Sequence, residues 1–237
     1  MRDSLTGKGR NSIRAATLAM AVLFGWADVC SAQGINDLTK VDINALTQET
    51  QKMSQRAEEI TFVWWIPNEY WETSFSQDPK TSNAQAGEVL KVLRPYTVLL
   101  VVDGKMGPFG GITYDSKEAI KAGISIKDAE GVSYPPINEE EVDFDTKNFL
   151  SMMKPVFANM LGPMGQNMHF FLFPDRNNRG QRIAEAGREG SLLVKLGSKE
   201  FKWRLPLGSL LPAKLCPTCG EKLSGAYKFC PWDGTKL

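Results

Sequence analysis

The chain holds one histidine, His169, in 237 residues. A single imidazole limits the base–nucleophile pairs on which much hydrolytic catalysis rests, and no nucleophile elbow, phosphate loop or zinc-protease helix motif occurs. An excess of charge is also missing: 28 basic residues oppose 27 acidic ones, for a formal net charge of +1. Nucleic-acid binding usually needs a clustered basic face, so nothing here indicates it. Long apolar runs are scarce. Ala15 to Ala27 gives 13 apolar or small residues, where a membrane-spanning helix needs about 20. What remains is an ordinary globular composition, 42% hydrophobic and 23% charged, enough for one main domain with an appendage.

The apolar run reads as the centre of an export signal. Arg2, Lys8, Arg10 and Arg14 precede it, offset by Asp3, and Cys30 and Ala32 supply the small residues of a cleavage site. The alternatives are an uncleaved anchor or a buried helix. A lipid-modified Cys30 fits poorly, because Asp28 and Val29 break the small and apolar approach such a site needs. Cleavage after Ala32 makes the protein periplasmic or extracellular and leaves no transmembrane segment in the mature chain. The leader takes four basic and two acidic residues with it, leaving 24 basic against 25 acidic. It also takes Cys30. The three cysteines left, Cys216, Cys219 and Cys230, all fall in the last 22 residues. Three cannot all pair within one chain, which argues against a disulfide framework.

Hydropathy patterning divides the mature chain into a helical lead-in (33–60), a β-rich domain (61–212) and a terminal module (213–237). Ile43, Leu46, Met53, Ala57 and Ile60 recur near one stripe of an amphipathic helix, with Asp42 or Asn44 as its cap. Thr61 to Trp65 is β-branched and aromatic, hence a strand stopped by Pro67. Ser74 to Gln85 is polar and reads as a surface loop, and Ala86 to Leu93 as a short helix. Tyr96 to Val102 is continuously apolar, which predicts a strand covered on both faces. Further strands are expected at 112–114, 123–127, 132–134 and 167–173, with a helix over 145–160. A hairpin joins 191–196 to 201–205 through Gly197 to Glu200. The fold class that follows is mainly β or α+β: an antiparallel, sandwich-like domain with two or three helices and a small C-terminal metal module.

That module is an internal duplication. Cys216-Pro-Thr-Cys219-Gly-Glu-Lys-Leu223 and Cys230-Pro-Trp-Asp233-Gly-Thr-Lys-Leu237 agree at five of eight places, offset by 14 residues. Two ligands separated by two residues can grip one tetrahedral ion from a single turn, and the following glycine lets the backbone reverse. A Cys216–Cys219 redox disulfide is the alternative, but it strands Cys230. The run Cys-Pro-x-Cys-Gly followed by Phe-Cys-Pro-x-Asp-Gly-Thr-x-Leu resembles the short zinc-ribbon modules found at many prokaryotic protein termini. The resemblance covers residues 216 to 237 only. It implies a structural Zn²⁺ held by Cys216, Cys219, Cys230 and Asp233, and it implies no activity. Asp233 stands where the family often has cysteine; the other reading is that it only caps its turn.

Two weaker groups remain. Trp64, Trp65, Tyr70 and Trp71, with Glu69 and Glu72, offer either a glycan- or peptide-binding platform with acid/base glutamates or, more plainly, a buried strand end. Met152, Met153, Met160, Met164 and Met168 beside His169 offer copper ligands or core filler. The expectation is therefore an exported, non-enzymatic protein that binds a protein or envelope partner. A glycan hydrolase and a copper-handling protein are the alternatives. Intact mass spectrometry of protein from its native envelope should give a chain starting at Gln33; a chain retaining residues 1–32 contradicts the cleaved leader.

Overall fold

The computed structural model describes residues 37–54, 56 and 58–237. The leader reading (1–32) lies outside these residues, as does Ala57. Helix α1 runs Ile43–Thr50, and the Asp42 carboxylate caps it by accepting from the Asn44 and Ala45 N–H groups at 2.9 and 3.2 Å. The expected continuation of this helix to residue 60 is not found. Gln51–Met53 forms strand β1, which pairs antiparallel with Phe62 to Trp64 of strand β2 (Glu59–Ile66). Ladder bonding to a buried strand outweighs a thin helical periodicity, and Met53 is left exposed.

The expected loop over Ser74 to Gln85 is also mostly helix. Helix α2 spans Asn68–Gln77, directly after Pro67, and α3 spans Asn83–Leu93. Polar residues dominate here because they form the outer faces, while Tyr70, Trp71 and Thr73 point inward. Ser82 and Gln85 close a reciprocal capping box that starts α3. Only the short stretch between the helices, residues 78–82, is non-helical.

Strand β3 (Tyr96–Met106) is the centre of the first sheet. It pairs antiparallel with β2 from Glu59↔Lys105 to Ile66↔Val98. Its other side takes β4 (Ile112–Tyr114) at one end and β7 (His169–Pro174) at the other. Between these come helix α4 (Lys117–Gly123), strands β5 (Ile124–Lys127) and β6 (Ser133–Tyr134), and helix α5 (Phe144–Met160). The second sheet, also antiparallel, runs β6-β5-β8-β9, with β8 at Gly190–Leu196 and β9 at Lys199–Leu205. Its final hairpin turns at Gly197, where φ is +56°, a value that favours glycine. Phe201 and Trp203 of β9 are buried while Lys202 and Arg204 are exposed.

Consecutive side chains on a strand face opposite ways, and Trp64 and Trp65 show what lies on each side of the first sheet. Trp64 packs edge-on against Tyr70 of α2 and Phe157 of α5, at centroid distances of 5.4 and 5.1 Å. Trp65 meets Trp203 of the second sheet at 6.1 Å. Helices therefore cover one face and the second sheet the other, which is why β3 is apolar on both. The class is α+β with antiparallel sheets, and the described residues contain five α-helices where two or three were expected. No described helix is long and apolar enough to cross a membrane.

One buried polar link joins the two sheets. Lys199 of β9 donates to Asp103 Oδ1 of β3 at 2.6 Å and to Thr61 Oγ1 of β2 at 2.9 Å, while the Thr61 hydroxyl donates to the same Asp103 oxygen. Breaking such a pair strands a buried charge, at a cost of about 3–5 kcal/mol. Asp103→Ala should lower denaturant stability by about that much, and adding Lys199→Met should recover part of the loss. A double variant no more stable than Asp103→Ala would contradict this account.

Candidate metal centre

The chain leaves the body through a segment fixed by Glu49 of α1. Its carboxylate accepts from the Gly208 and Ser209 N–H groups at 2.7 and 2.9 Å and from the Ser209 hydroxyl at 2.7 Å. Glycines then allow close approach. A Cβ at Gly225 would overlap Leu211 and the Pro212 carbonyl, and one at Gly208 would overlap Ser224. The terminal module thus seats against residues 208–212 by backbone contact, as a knob of fixed position.

Within the module the sequence duplication becomes a structural one. Each turn carries the same two backbone bonds. Cys216 N–H donates to Glu221 O and Gly220 N–H to Cys216 O, both at 2.9 Å; fourteen residues on, Cys230 N–H donates to Thr235 O and Gly234 N–H to Cys230 O, at 2.7 and 2.9 Å. Gly220 and Gly234 have φ of +73° and +75°, the left-handed conformation in which a side chain is strained. Strands β10 (Lys214–Leu215) and β11 (Lys222–Leu223) pair with Leu215 opposite Lys222. The equivalent bridge, Phe229 to Lys236, closes the second turn. The two turns are tied together by a Thr235 to Thr218 hydroxyl bond of 2.9 Å.

These turns bring Cys216, Cys219, Cys230 and Asp233 together, with one ligand atom of each within 4.8 Å of all the others. The cluster could hold a metal ion. The three cysteines are free thiols. Cys219 Sγ lies 3.7 Å from Cys230 Sγ, and Cys216 Sγ lies 3.4 Å from Asp233 Oδ2. In a tetrahedron with metal–sulfur bonds of about 2.3 Å and metal–oxygen bonds of about 2.0 Å, the S···S and S···O edges are about 3.8 and 3.5 Å. These two edges therefore match the spacing of a small tetrahedral ion, and the whole set lies within 4.8 Å. Beside them is a miniature apolar core, in which Cys216 and Cys230 are buried with Leu223 and Leu237 packs against them.

Electrostatics at the site are those of crowded anionic ligands. The Thr235 hydroxyl and amide hold the Asp233 carboxyl well below the usual carboxylate range, so it stays charged. Amides of Cys219 and Thr218 lower the Cys216 thiol. The Glu221 amide favours the Cys219 thiolate, yet burial and the neighbouring Cys216, Asp233 and Cys230 win and push it up to about 12. A cation among Cys216, Cys219 and Asp233 would relieve this crowding of negative charge.

The other sequence candidates fall differently. Trp64, Trp65, Tyr70 and Trp71 are all buried, so they build the core and present no exposed platform. Glu69 is buried as well. Its Oε1 accepts from Arg182 at 3.2 Å, the same guanidinium that reaches Asp175 at 3.2 Å, and burial still pushes the Glu69 carboxyl up. Glu72 pairs with Arg94 at 3.1 Å. The methionines scatter: Met152 and Met160 are exposed on α5, Met168 is fully buried, and Met153 and Met164 pack against the core. Burial pushes the His169 imidazole down, helped by Lys154 and Lys117.

The sequence reading missed two exposed apolar positions on the module. Leu215 and Phe229 each precede a repeat cysteine, so the duplication extends one place upstream as a shared apolar character. No protein family, curated protein or solved structure compared with the chain matches it. If Asp233 is a ligand, Asp233→Ala should weaken metal affinity by more than roughly tenfold while Asp233→Cys keeps it. Equal affinity for wild type and Asp233→Ala, measured by competition with a chromophoric chelator, would reduce Asp233 to a turn cap.

Proposed function

We propose that residues 213–237 form a structural zinc ribbon, and that the chain is an exported, non-enzymatic binding protein. The ribbon acts as its rigid contact module for a protein or envelope partner. The observation that carries this reading is the ribbon's surface. Leu215, Phe229 and Trp232 are exposed by 68, 60 and 75%, and Tyr227 by 47%. A module this small cannot bury such residues in a core of its own. Holding them outward on a frame fixed by an ion and seated at Gly208 and Gly225 is how an interaction surface is built.

Zinc is the ion that suits the donor set. Thiolates with one carboxylate, in tetrahedral spacing, match its preferences, and four protein ligands close the shell. Zinc binding to comparable finger peptides contributes roughly 10–16 kcal/mol of folding free energy. That is ample to hold a module whose core is two cysteines and two leucines. The binding reading draws further support from the aromatic segment. Its rings are packed inside the body, and Glu69 and Glu72 are each engaged by an arginine. Export rests on the leader alone.

Purified mature protein should carry one zinc per chain by elemental analysis. Cys230→Ser should lose it and collapse the ribbon's NMR signals while the body keeps its circular dichroism. Stoichiometric protein without zinc in the wild type would overturn the assignment. For the contact role, a photo-crosslinking residue at position 232 should trap a partner in native envelopes. Phe229→Ala should weaken capture by about 2 kcal/mol or more, the scale of an interface hot spot. Capture indifferent to Phe229→Ala would sink the contact role and leave the zinc site standing.

A further inference from the structure

A second concave feature lies in the body and includes no ribbon residue. An open cleft of about 340 Å³ is walled by α4, α5, the segment 136–142 and the outer edge of β7. Lys117 and Lys121, one turn apart on α4, face Lys147 and Lys154, two turns apart on α5. Glu139 is the one carboxylate residue in the lining, and Lys117 pairs with it. Lys121 donates to the Asn138 side chain at 3.0 Å and Lys147 to the Glu139 carbonyl at 3.1 Å. Lys154 has no carboxylate within ion-pair reach among the described residues. It stands beside His169, and the two repel when the imidazole is charged, with Glu118 opposing this. The lining therefore carries uncompensated positive charge.

Its floor is apolar. Ile137, Val142, Leu150 and the β7 residues Phe170 to Leu172 line it. The edge of β7 adds a directed donor. Ile137 N–H bonds the Leu172 carbonyl at 2.8 Å, so the backbone groups of Leu172 point away from β3. By the two-residue period of a strand, the N–H and C=O of Phe170 point the same way, where no strand lies to receive them among the described residues. A cationic rim, an apolar floor and a free backbone donor then converge on one cleft. Its volume sits at the small end of ligand pockets, roughly 300–1,000 Å³.

From this convergence we infer that the cleft is a binding site for a small amphipathic anion, a carboxylate or phosphate head on an apolar body. The head sits at the Lys147–Lys154 side and the apolar body lies along Ile137, Leu150 and Phe170. The head relieves repulsion among the lysines, and the body removes the floor from water. Neither half alone explains the site. A bare anion leaves the floor wet, and a neutral chain leaves Lys154 without a counter-charge.

Calorimetric titration of the full mature chain separates these terms, using decanoate, decyl phosphate, 1-decanol, decyltrimethylammonium and acetate as probes. Either or both decyl anions should bind at one site, at least roughly tenfold tighter than decanol or the cation, with acetate undetected. Decanoate against decyl phosphate reports which head the site prefers. Lys154→Glu, an exposed position with no structural partner, should weaken anion binding by roughly tenfold or more while thermal unfolding stays put. Ser151→Trp, also exposed, should block the cleft by bulk. Decanol binding as tightly as the anions, anion binding untouched by Lys154→Glu, or no binding of either decyl anion would each overturn the inference.

Discussion

Two neighbouring tryptophans on one strand, Trp64 and Trp65, set the organisation of the body. Alternation sends one indole toward the helices and the other toward the second sheet, so the β2–β3 pair must be covered twice. Each cover then brings its own polar terms. On the helical side the Trp64 indole donates to the Thr50 hydroxyl at 3.0 Å, which fixes the end of α1 over the sheet. On the other side the Lys199–Asp103–Thr61 link sets the second sheet against the first. The indole nitrogens of Trp71 and Trp203 are buried without an acceptor among the described residues. Each such omission costs about 1–3 kcal/mol, and burying large aromatic rings offsets it.

The ribbon obeys a different rule. Its buried side chains are two cysteines and a leucine, with Leu237 against them, far too little apolar surface to offset the conformational entropy of some two dozen residues. A metal ion held by the four clustered donors, as proposed, would replace hydrophobic burial as the organising force. The body contributes the seat: Glu49 pins the approach, and Gly208 and Gly225 remove the side chains that would hold the module off. Metal site and body are thus joined through α1, the element that also supports Trp64.

The sequence made some of this legible and hid the rest for identifiable reasons. The Tyr96 to Val102 part of β3 and the 191–205 hairpin are plain because burial on one or both faces writes itself into residue choice, whereas the extension of β3 to Met106 is not. The convergence of Cys216, Cys219, Cys230 and Asp233 is plain because coordination demands fixed residue types at fixed spacing, and the duplicated octets carry that spacing. Helix α2 was hidden because its outward residues, Glu72, Ser74 and Ser76, read as a loop when the inward Tyr70 and Trp71 are assigned to a strand end. The overlong first helix was a periodicity accident, ended in the structure by pairing of Gln51 to Met53 with β2. The lysine cleft was invisible for a topological reason. Its residues come from four separate segments, and helical spacing within α4 (Lys117, Lys121) and α5 (Lys147, Leu150, Ser151, Lys154) does not show that the two faces meet. How Glu69 is neutralised could not be read either, since Arg182 lies 113 residues away.

The central claim is that the duplicated turns converge on one tetrahedral metal ion through Cys216, Cys219, Cys230 and Asp233. X-ray absorption at the zinc edge of the natively purified chain tests it most directly. The account predicts a four-coordinate shell of three sulfurs at about 2.3 Å and one oxygen at about 2.0 Å, with the oxygen replaced by a fourth sulfur in Asp233→Cys. A protein that carries no metal and whose intact mass falls by two protons, marking a disulfide among these cysteines, would contradict it.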